Sequence, residues 1–515
     1  MKELEFQGTS EYKCMNLFVQ GNPGTGKTFV IKTLLNIIRL ANGVNSSAQS
    51  IAPTGCAASL SGGQTLHRFF NFPRKASDLH GNVKHWGEKN VERVRMKKET
   101  MKSLFGLIFD EHSMKSRLHV GWAEYRCREL REDEERSWGG IPFRMMFGDI
   151  HQLPPVGGKS IGNKDPPNKI GSSDSYGKYV MDTFFSPDLD FDDIVVVVMD
   201  KVIRQKDEEF ISVLNKMRPP GKMDEKGVDY LVARHTSNLD TDERKRFEKE
   251  ALYLMPTWAD TKAITLDYMR SINRPIAIIH ANKSGVKYNA HLKQIRSVPD
   301  MNVLMVGAKA ILLTNYVTES NLYNGAVGTI VDIVYEKNEG PNSPGREMPD
   351  YVVLDIPELK WKSNFLWDKK NPTHAPINAS EFQCDNMCCT VKTIPLRIFK
   401  GSTIHKAQGM SIGTGQSFPC VSVSLPTGGQ RKTPGLELVA FSRATGINDL
   451  CISGQLTKES LYSIGTGKSY ENKINFEKSL YEFQYRTMKS KIEKLRKWMK
   501  LKQKRRRLVE HTSVW

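Results

Sequence analysis

Gly21-Asn22-Pro23-Gly24-Thr25-Gly26-Lys27-Thr28 is the stretch on which the reading of this chain turns. An apolar run, Met15 to Val19, precedes it and reads as a buried strand. After it, Val30, Ile31, Leu34, Leu35 and Ile38 recur at helical spacing, and Gly43 is placed to end the helix. Strand, glycine-rich turn and helix together make a phosphate cradle. The glycines let consecutive N–H groups curl around phosphate oxygens where side chains would block the approach. The helix N-terminus adds about half a positive charge at the same place. Lys27 is expected to reach the outer phosphates of ATP, and the Thr28 hydroxyl to ligate Mg²⁺. Such a turn says only that a nucleotide binds; the rest of the chain has to say what the nucleotide drives.

The second half of a nucleotide-hydrolysing site lies some 80 residues downstream. Leu104 to Phe109 reads as a buried strand that ends in Asp110-Glu111. Asp110 is expected to hold Mg²⁺ and Glu111 to polarise the attacking water. Phe143 to Phe147 is a further strand, leading into Gly148-Asp149-Ile150-His151-Gln152-Leu153-Pro154-Pro155. Gln152 at that strand tip can hydrogen-bond a γ-phosphate, on a loop that its prolines stiffen. Residues 157 to 178 are rich in Gly, Ser, Asn, Pro and Lys and read as a polar loop.

Composition narrows the partner. The chain has 515 residues, enough for about two to four domains, and its 39% hydrophobic content can fill their cores. A formal charge of +18 favours a polyanion. Residues 74–102 carry nine Lys/Arg against four Asp/Glu, with Trp86 among them and Phe69, Phe70 and Phe72 alongside. Charge that tracks a backbone, with rings that stack on bases, suits single-stranded nucleic acid; a solvated basic loop is the plainer alternative. From Tyr470 to Trp515 there are 14 Lys/Arg and 5 Asp/Glu. The run Lys500 to Leu508 within it reads as a nuclear address, a nucleic-acid grip or a solvated basic helix. Eight scattered cysteines suggest reduced thiols in an intracellular compartment. Cys384, Cys388 and Cys389 lack the paired spacing of a zinc site and are expected to be free thiols. No apolar run approaches a membrane span of roughly 18 residues, and the first residues do not form a signal peptide.

Other segments have the character of backbone grips. Ser50 to Ala58 reads as a strand and loop in which Thr54 can donate to phosphate oxygens. Thr65 is a plausible helix N-cap. Ile194 to Val198 is a buried strand leading to Arg204-Gln205, and Phe210, Val213, Leu214 and Met217 mark a helix beyond it. In the second half, Pro275 to Asn282 and Val306 to Asn315 read as strands, and 324–356 as short strands with turns, a pattern that suggests a small antiparallel barrel. Ser402 to Met410 brings Thr403, His405, Lys406 and Gln408 into one turn. Arg443 stands among small residues and can act as an arginine finger.

Taken in order, these motifs closely resemble the PIF (petite integration frequency) family of ATP-dependent DNA helicases, in superfamily 1 and related to the RecD helicases. The resemblance runs from about Asn16 to about Ile452. It is carried by the turn at 21–28, Ala-Pro-Thr-Gly at 52–55, Thr65-Leu66-His67, Asp110 to Met114, Gly148 to Pro155, Arg204-Gln205, Thr403 to Met410 and Ser442 to Thr445. It implies an α/β fold: two RecA-like P-loop domains with ATP between them, a small wedge subdomain near 74–102 and an inserted SH3-like β-barrel. The expected boundaries are 1–200 for the first domain, 201–316 with 395–460 for the second, 317–394 for the barrel and 461–515 for a basic helical tail. Arg204 and Arg443 are expected as arginine fingers from the second domain. The expected DNA contacts are Pro53, Thr54, Thr65, His67, Phe69, Thr403, His405 and Lys406. The implied activity is 5′–3′ translocation on single-stranded DNA and unwinding of duplex, in DNA repair, recombination and telomere or mitochondrial genome maintenance. The expected protein is a monomer with no membrane contact, sited in the nucleus or mitochondrion. Three departures from the family stand out. Its adenine-contacting glutamine has no counterpart, Gln7 lying in the wrong setting, as if the gene model were truncated. His112 replaces an aliphatic residue. The loop at 157–180 is longer than common. The competing expectation is a truncated, transposon-derived remnant that binds nucleic acid with little unwinding.

Overall fold

The computed structural model describes residues 14–72, 91–167, 169–185, 192–285, 301–317, 320–335, 348–361, 367–383, 389–426, 433–487 and 489. The chain divides into two compact units. The first comprises residues up to Pro53, Gly63–Arg204 and the chain from Gly465 on; the second comprises Thr54–Gly62 and Gln205–Ile464.

The first unit is built on six parallel strands: β1 (Cys14–Gly21), β2 (Ala48–Ala52), β3 (Gln64–Thr65), β4 (Gly106–Phe109), β5 (Phe143–Gly148) and β6 (Asp192–Met199). Their order across the sheet is β3-β2-β4-β5-β1-β6. A parallel sheet is covered on both faces, so its strands are apolar throughout rather than alternating. All four residues of β4 are buried accordingly. The helix α1 (Lys27–Asn42) follows the glycine-rich turn at 21–28 and buries Ile31, Leu35 and Ile38. It ends at Gly43, whose left-handed φ of 64° suits glycine.

The opposite face is closed by the helices Arg117–Arg131 and Ser173–Phe185. The second of these starts inside the stretch 157–178 expected as loop. Arg117, fully buried, organises the approach to it. Its Nη2 and Nε bond the two carboxylate oxygens of Asp174 at 2.7 and 3.0 Å, and its Nη1 donates to the carbonyls of Asn163 and Asp165. The last described helical stretch, 471–487, also joins this core through Phe476 and Leu480, which pack with Phe18 and Phe184. Over 465–487 the expected basic helical tail is part of the first unit.

The second unit holds a parallel four-stranded sheet in the order Gly401–Thr403, Leu252–Met255, Val421–Ser424, Leu450–Ser453. It also holds an antiparallel five-stranded sheet in the order His374–Asn378, Tyr351–Asp355, Val327–Val334, Lys309–Leu312, Leu396–Ile398. Two of those strands, 309–312 and 396–398, lie outside the expected insert 317–394, because they supply the edge on which its strands pair. Parts of the insert, most of the 74–102 segment, Cys384, Cys388 and the run 500–508 fall outside the described residues. The described part of 74–102 is the helix Val91–Lys102. There Lys98 and Lys102 pair with Glu132, and Lys97 lies over the Phe69 ring.

Candidate nucleotide and nucleic-acid sites

The glycine-rich turn at 21–28 is closed by its own backbone and by the segment after β6. Ile203 and Arg204 both donate their amides to Gly24 O, at 2.8 and 3.1 Å, and Asn22 N donates to Met199 O. Gly26 has φ 87°, and a Cβ there would lie 2.9 Å from Ile203 Cδ1. A side chain at that position would thus be strained twice over, by conformation and by contact. Lys27 Nζ donates to Gly21 O at 2.8 Å and to Asn22 O at 2.9 Å. Burial pulls the Lys27 ammonium below its usual range, while the charges of Asp149, Glu111 and Asp110 pull it back up.

Those acids stand at the C-terminal tips of β4 and β5, the edge where open α/β sheets bind ligands. In the sheet β5 separates the Asp110 strand from β1, so the two are not immediate neighbours. Asp110 and Glu111 are both buried, and Asp110 Oδ1 accepts the Glu111 amide at 2.8 Å. Glu111 sits at φ 52°, ψ 56°, a left-handed conformation that a non-glycine residue adopts at a cost of roughly 1–2 kcal/mol. Burial, with the Glu111 charge next to it, raises the Asp110 carboxyl well above the usual carboxylate range. Lys115, whose ammonium bonds Asp110 O, partly offsets this and is itself lowered by burial.

The Gln152 loop is anchored at both ends. Gln20, one residue before the phosphate-binding turn, donates to Asp149 Oδ1 at 3.0 Å and accepts from Ile150 N at 3.1 Å. Gln152 is 2% exposed, and its Oε1 makes no hydrogen bond among the described residues. His112 is fully buried with its ring 4.6 Å from Phe18, and burial first, then the Lys115 charge, holds it neutral with a pKa lowered to about 3. A neutral ring packed on an aromatic occupies the place of an aliphatic side chain.

The two expected fingers differ in setting. Arg204 ends the first unit and is bonded through its amide to the phosphate-binding turn, which corrects its assignment to the second domain. Arg443, 2% exposed, belongs to the second unit, where Nε donates to Val439 O at 2.8 Å, Nη1 to Met410 O at 3.2 Å and Nη2 to Ser442 Oγ at 2.9 Å. Gln205 braces the same turn by donating to Ala444 O at 2.8 Å.

The expected DNA contacts separate likewise. Pro53, Thr65, His67 and Phe69 lie in the first unit. Phe69 is 0% exposed and meets Phe70 edge-on at 4.9 Å, so its ring has no face left for a base; this corrects its assignment as a stacking residue. Thr65 stands at the N-cap of Leu66–Phe70 without a side-chain cap bond, and His67 is exposed beside His119. Thr54 belongs to the second unit, where its hydroxyl accepts from Ala57 N at 3.2 Å and caps the helix Gly55–Leu60. There it lines one cavity of about 830 Å³ with Lys406, Arg397, Trp258, Met269 and Phe399. Thr403 ends the strand 401–403, and the amides of Lys406 and Ala407 close a turn onto its carbonyl around His405. Lys406 Nζ lies 4.4 Å from the centroid of the half-exposed Trp258 ring.

The family model of the PIF1-like helicases matches residues 5–226. The ATP-dependent DNA helicase Pif1 of Campylobacter jejuni is 25% identical over 479 residues, covering 91% of this chain and 94% of that protein. The chain is thus similar to the PIF1-like helicases. A crystal structure of the Candida albicans Pif1 helicase matches with a TM-score of 0.67 at 19% identity, covering 91% of this chain and 95% of that one. A Bacteroides Pif1 helicase in complex with ADP-AlF3 and ssDNA matches with a TM-score of 0.60 at 21% identity, over 92% and 94% of the two chains. The α/β sheets are therefore those of a RecA-like helicase fold.

Sequence reasoning passed over Gln20, Lys115 and the 471–487 stretch. The spacing of Phe476, Leu480 and Phe483 was the available signal for the last. Gln20 and Lys115 acquire a role only once β1, β4 and β5 are side by side.

Proposed function

We propose that this chain is an ATP-dependent DNA helicase that moves 5′–3′ on single-stranded DNA and opens duplex ahead of it. The observation that carries the reading is the convergence of Lys27, Asp110, Glu111 and Asp149 at the strand tips of one parallel sheet, close enough for the three acids to act on the Lys27 charge. The relative of 25% identity bears the name ATP-dependent DNA helicase, and a Bacteroides neighbour of the same fold holds ADP-AlF3 and ssDNA.

In this reading the turn 21–28 and Lys27 hold the phosphates, Glu111 orients and polarises the attacking water, and Gln152 senses the γ-phosphate. Arg204 and Arg443 supply positive charge to the phosphate oxygens as negative charge develops on them. The residues suit Mg²⁺: Thr28, Asp110 and Glu111 offer only hard oxygen donors, and two adjacent buried carboxylates, one already raised, gain from a dication. When bound, the ion would neutralise phosphate charge. Among the described residues no group of three or more His, Cys, Asp and Glu forms a metal site, in keeping with an ion that takes most of its ligands from water and substrate.

Nucleic acid is read as lying on the second unit over Thr54, Thr403, His405 and Lys406, with Trp258 as the stacking ring. Thr65 and His67 are the corresponding groups of the first unit. An SH3-like barrel around 317–394, a wedge near 74–102, monomeric action and a nuclear or mitochondrial place of work in genome maintenance complete the proposal. They are supported by the antiparallel pairing of 327–334, 351–355 and 374–378, by the basic composition and by the family resemblance. No helix among the described residues is long and apolar enough to cross a membrane. The remnant reading is not favoured by the comparisons, in which a relative matched over nearly its whole length bears the name of an ATP-dependent DNA helicase.

The test is strand displacement with ATP. A duplex with a 5′ single-stranded tail opens and one with a 3′ tail does not. Opening of neither, with DNA binding intact, would overturn the reading.

A further inference from the structure

The loop that carries Gln152 is held from one side by Gln20 and from the other by residues far along the chain. Lys473 Nζ donates to Gln152 O at 2.7 Å. Four residues on, Glu477 Oε2 lies 2.8 Å from His151 Nε2. A carboxylate can only accept, so His151 carries its proton on Nε2. Between them Phe476 packs edge-on against Phe18 of β1, at 5.8 Å, and against Phe185, at 5.5 Å. Lys473 is 7% exposed and His151 0%. Burying an ammonium is unfavourable, and an apolar side chain of similar size would pack there at less cost to stability. A lysine that bonds the main chain of the sensing residue is therefore explained better by position than by stability. The chain enters this stretch directly from the second unit, at Ile464–Gly465.

We infer that Lys473 and Glu477 are positioning residues of the ATPase site, fixing the Gln152 loop so that its side chain meets the γ-phosphate in the transition state. The inference rests on the helicase reading above. Loss of either clamp lets the loop drift by a fraction of an ångström, which weakens an interaction made at the moment of reaction while leaving the phosphate cradle untouched. Neither residue touches nucleotide in this scheme; both act through the loop.

The experiment compares the full chain with Lys473→Met, Lys473→Arg, Glu477→Gln and, on the exposed side of the same stretch, Lys478→Met. ATP turnover is followed with a saturating single-stranded oligonucleotide, alongside melting temperature and oligonucleotide affinity. The expected result is that Lys473→Met and Glu477→Gln lower kcat about tenfold or more, with KM for ATP within about twofold. Lys473→Arg recovers most of the rate, and Lys478→Met is unchanged. Wild-type kcat in both clamp variants would overturn the inference. So would a loss of rate that only follows a loss of folded protein and of oligonucleotide affinity. A wild-type chain that hydrolyses no ATP would overturn the helicase reading itself, and this inference with it, which separates the two failures.

Discussion

Gln20 donates to Asp149 Oδ1 at 3.0 Å, tying the strand that delivers the phosphate-binding turn to the strand that delivers the Gln152 loop. Its own oxygen accepts from Ile150 N, so one carboxamide fixes two consecutive residues of that loop. Both partners are buried, and an apolar replacement would leave the Asp149 carboxylate short of a donor. Gln20→Leu is expected to fold and to bind ATP with little change in KM, while kcat with single-stranded DNA falls about tenfold. Steady-state ATPase kinetics decide it; an unaltered kcat would show that the loop holds its place without Gln20.

Glu111 and Lys27 are expected to fail in different ways. Lys27 is assigned to hold the phosphates, so Lys27→Ala is expected to remove nucleotide binding along with turnover. Glu111 sits in a left-handed conformation, and Glu111→Gln keeps both shape and volume. That variant should retain ATP and oligonucleotide affinity while turnover drops on the order of 10²–10⁴-fold. Nucleotide binding by fluorescence and hydrolysis on the same sample separate the two. Comparable turnover in Glu111→Gln and wild type would remove Glu111 from its assigned role.

The packing of two helices in the first unit makes a stability prediction. A Cβ on Gly177 would stand 1.8 Å from Arg117 O, and one on Gly121 would stand 2.9 Å from Gly177 N. These glycines let the helices Arg117–Arg131 and Ser173–Phe185 touch backbone to backbone. Gly177→Ala forces them apart against a neighbour that is main chain, and overpacking of this kind costs roughly 1–3 kcal/mol or more. Thermal unfolding should shift downward by several degrees. An unchanged melting curve would mean that the helices slide freely.

The same contact shows why part of this molecule was legible in the sequence and part was not. The turn at 21–28, the strands β1, β4, β5 and β6 and the acids after β4 carry local signals, glycine spacing and apolar runs, that survive without a fold. Ser-Asp-Ser-Tyr-Gly at 173–177 carries the opposite signal. Its small residues read as loop, yet they are what a close helix crossing requires. The basic count from Tyr470 onward pointed to a solvated tail, and masked the apolar spacing that packs 471–487 on β1. Thr54 stands next to β2 in sequence but belongs to the second unit, an assignment that only tertiary contacts define. Phe69 read as a stacking ring because composition cannot tell an exposed aromatic from a buried one.

His119 supplies a pH dependence. Its Nδ1 accepts the Ser116 amide at 3.2 Å as part of a capping box, which requires that nitrogen to be unprotonated. Burial, with smaller contributions from the charges of His67 and Lys115, lowers its pKa from 6.5 to about 4. The unfolded chain therefore binds the proton more readily than the folded one. Stability on this account is full above about pH 6.5, falls as the pH drops towards about 4 and is flat below. The part-buried site leaves on the order of 2 kcal/mol of the shift as measurable stability. His119→Asn should flatten urea-unfolding free energies between those two pH values. A slope equal to that of the wild type would exclude His119 as its source.

Trp258 and Lys406 divide the expected grip on single-stranded DNA into two measurable parts. The indole is half-exposed, stands at the start of the helix Trp258–Ile272 and has the Lys406 ammonium 4.4 Å from its ring. A base stacked on such a ring contributes about 1–3 kcal/mol whatever its identity, and this part does not depend on salt. Trp258→Ala should therefore weaken oligonucleotide binding by roughly 5- to 150-fold without changing the slope of log K against log salt. Lys406→Met should do the reverse, with a modest loss of affinity and a slope reduced by about 0.7, one phosphate contact on a single strand. Fluorescence anisotropy at several salt concentrations reads both. If the tryptophan variant altered the slope and the lysine variant did not, the assignment of ring to base and ammonium to phosphate would be the wrong way round.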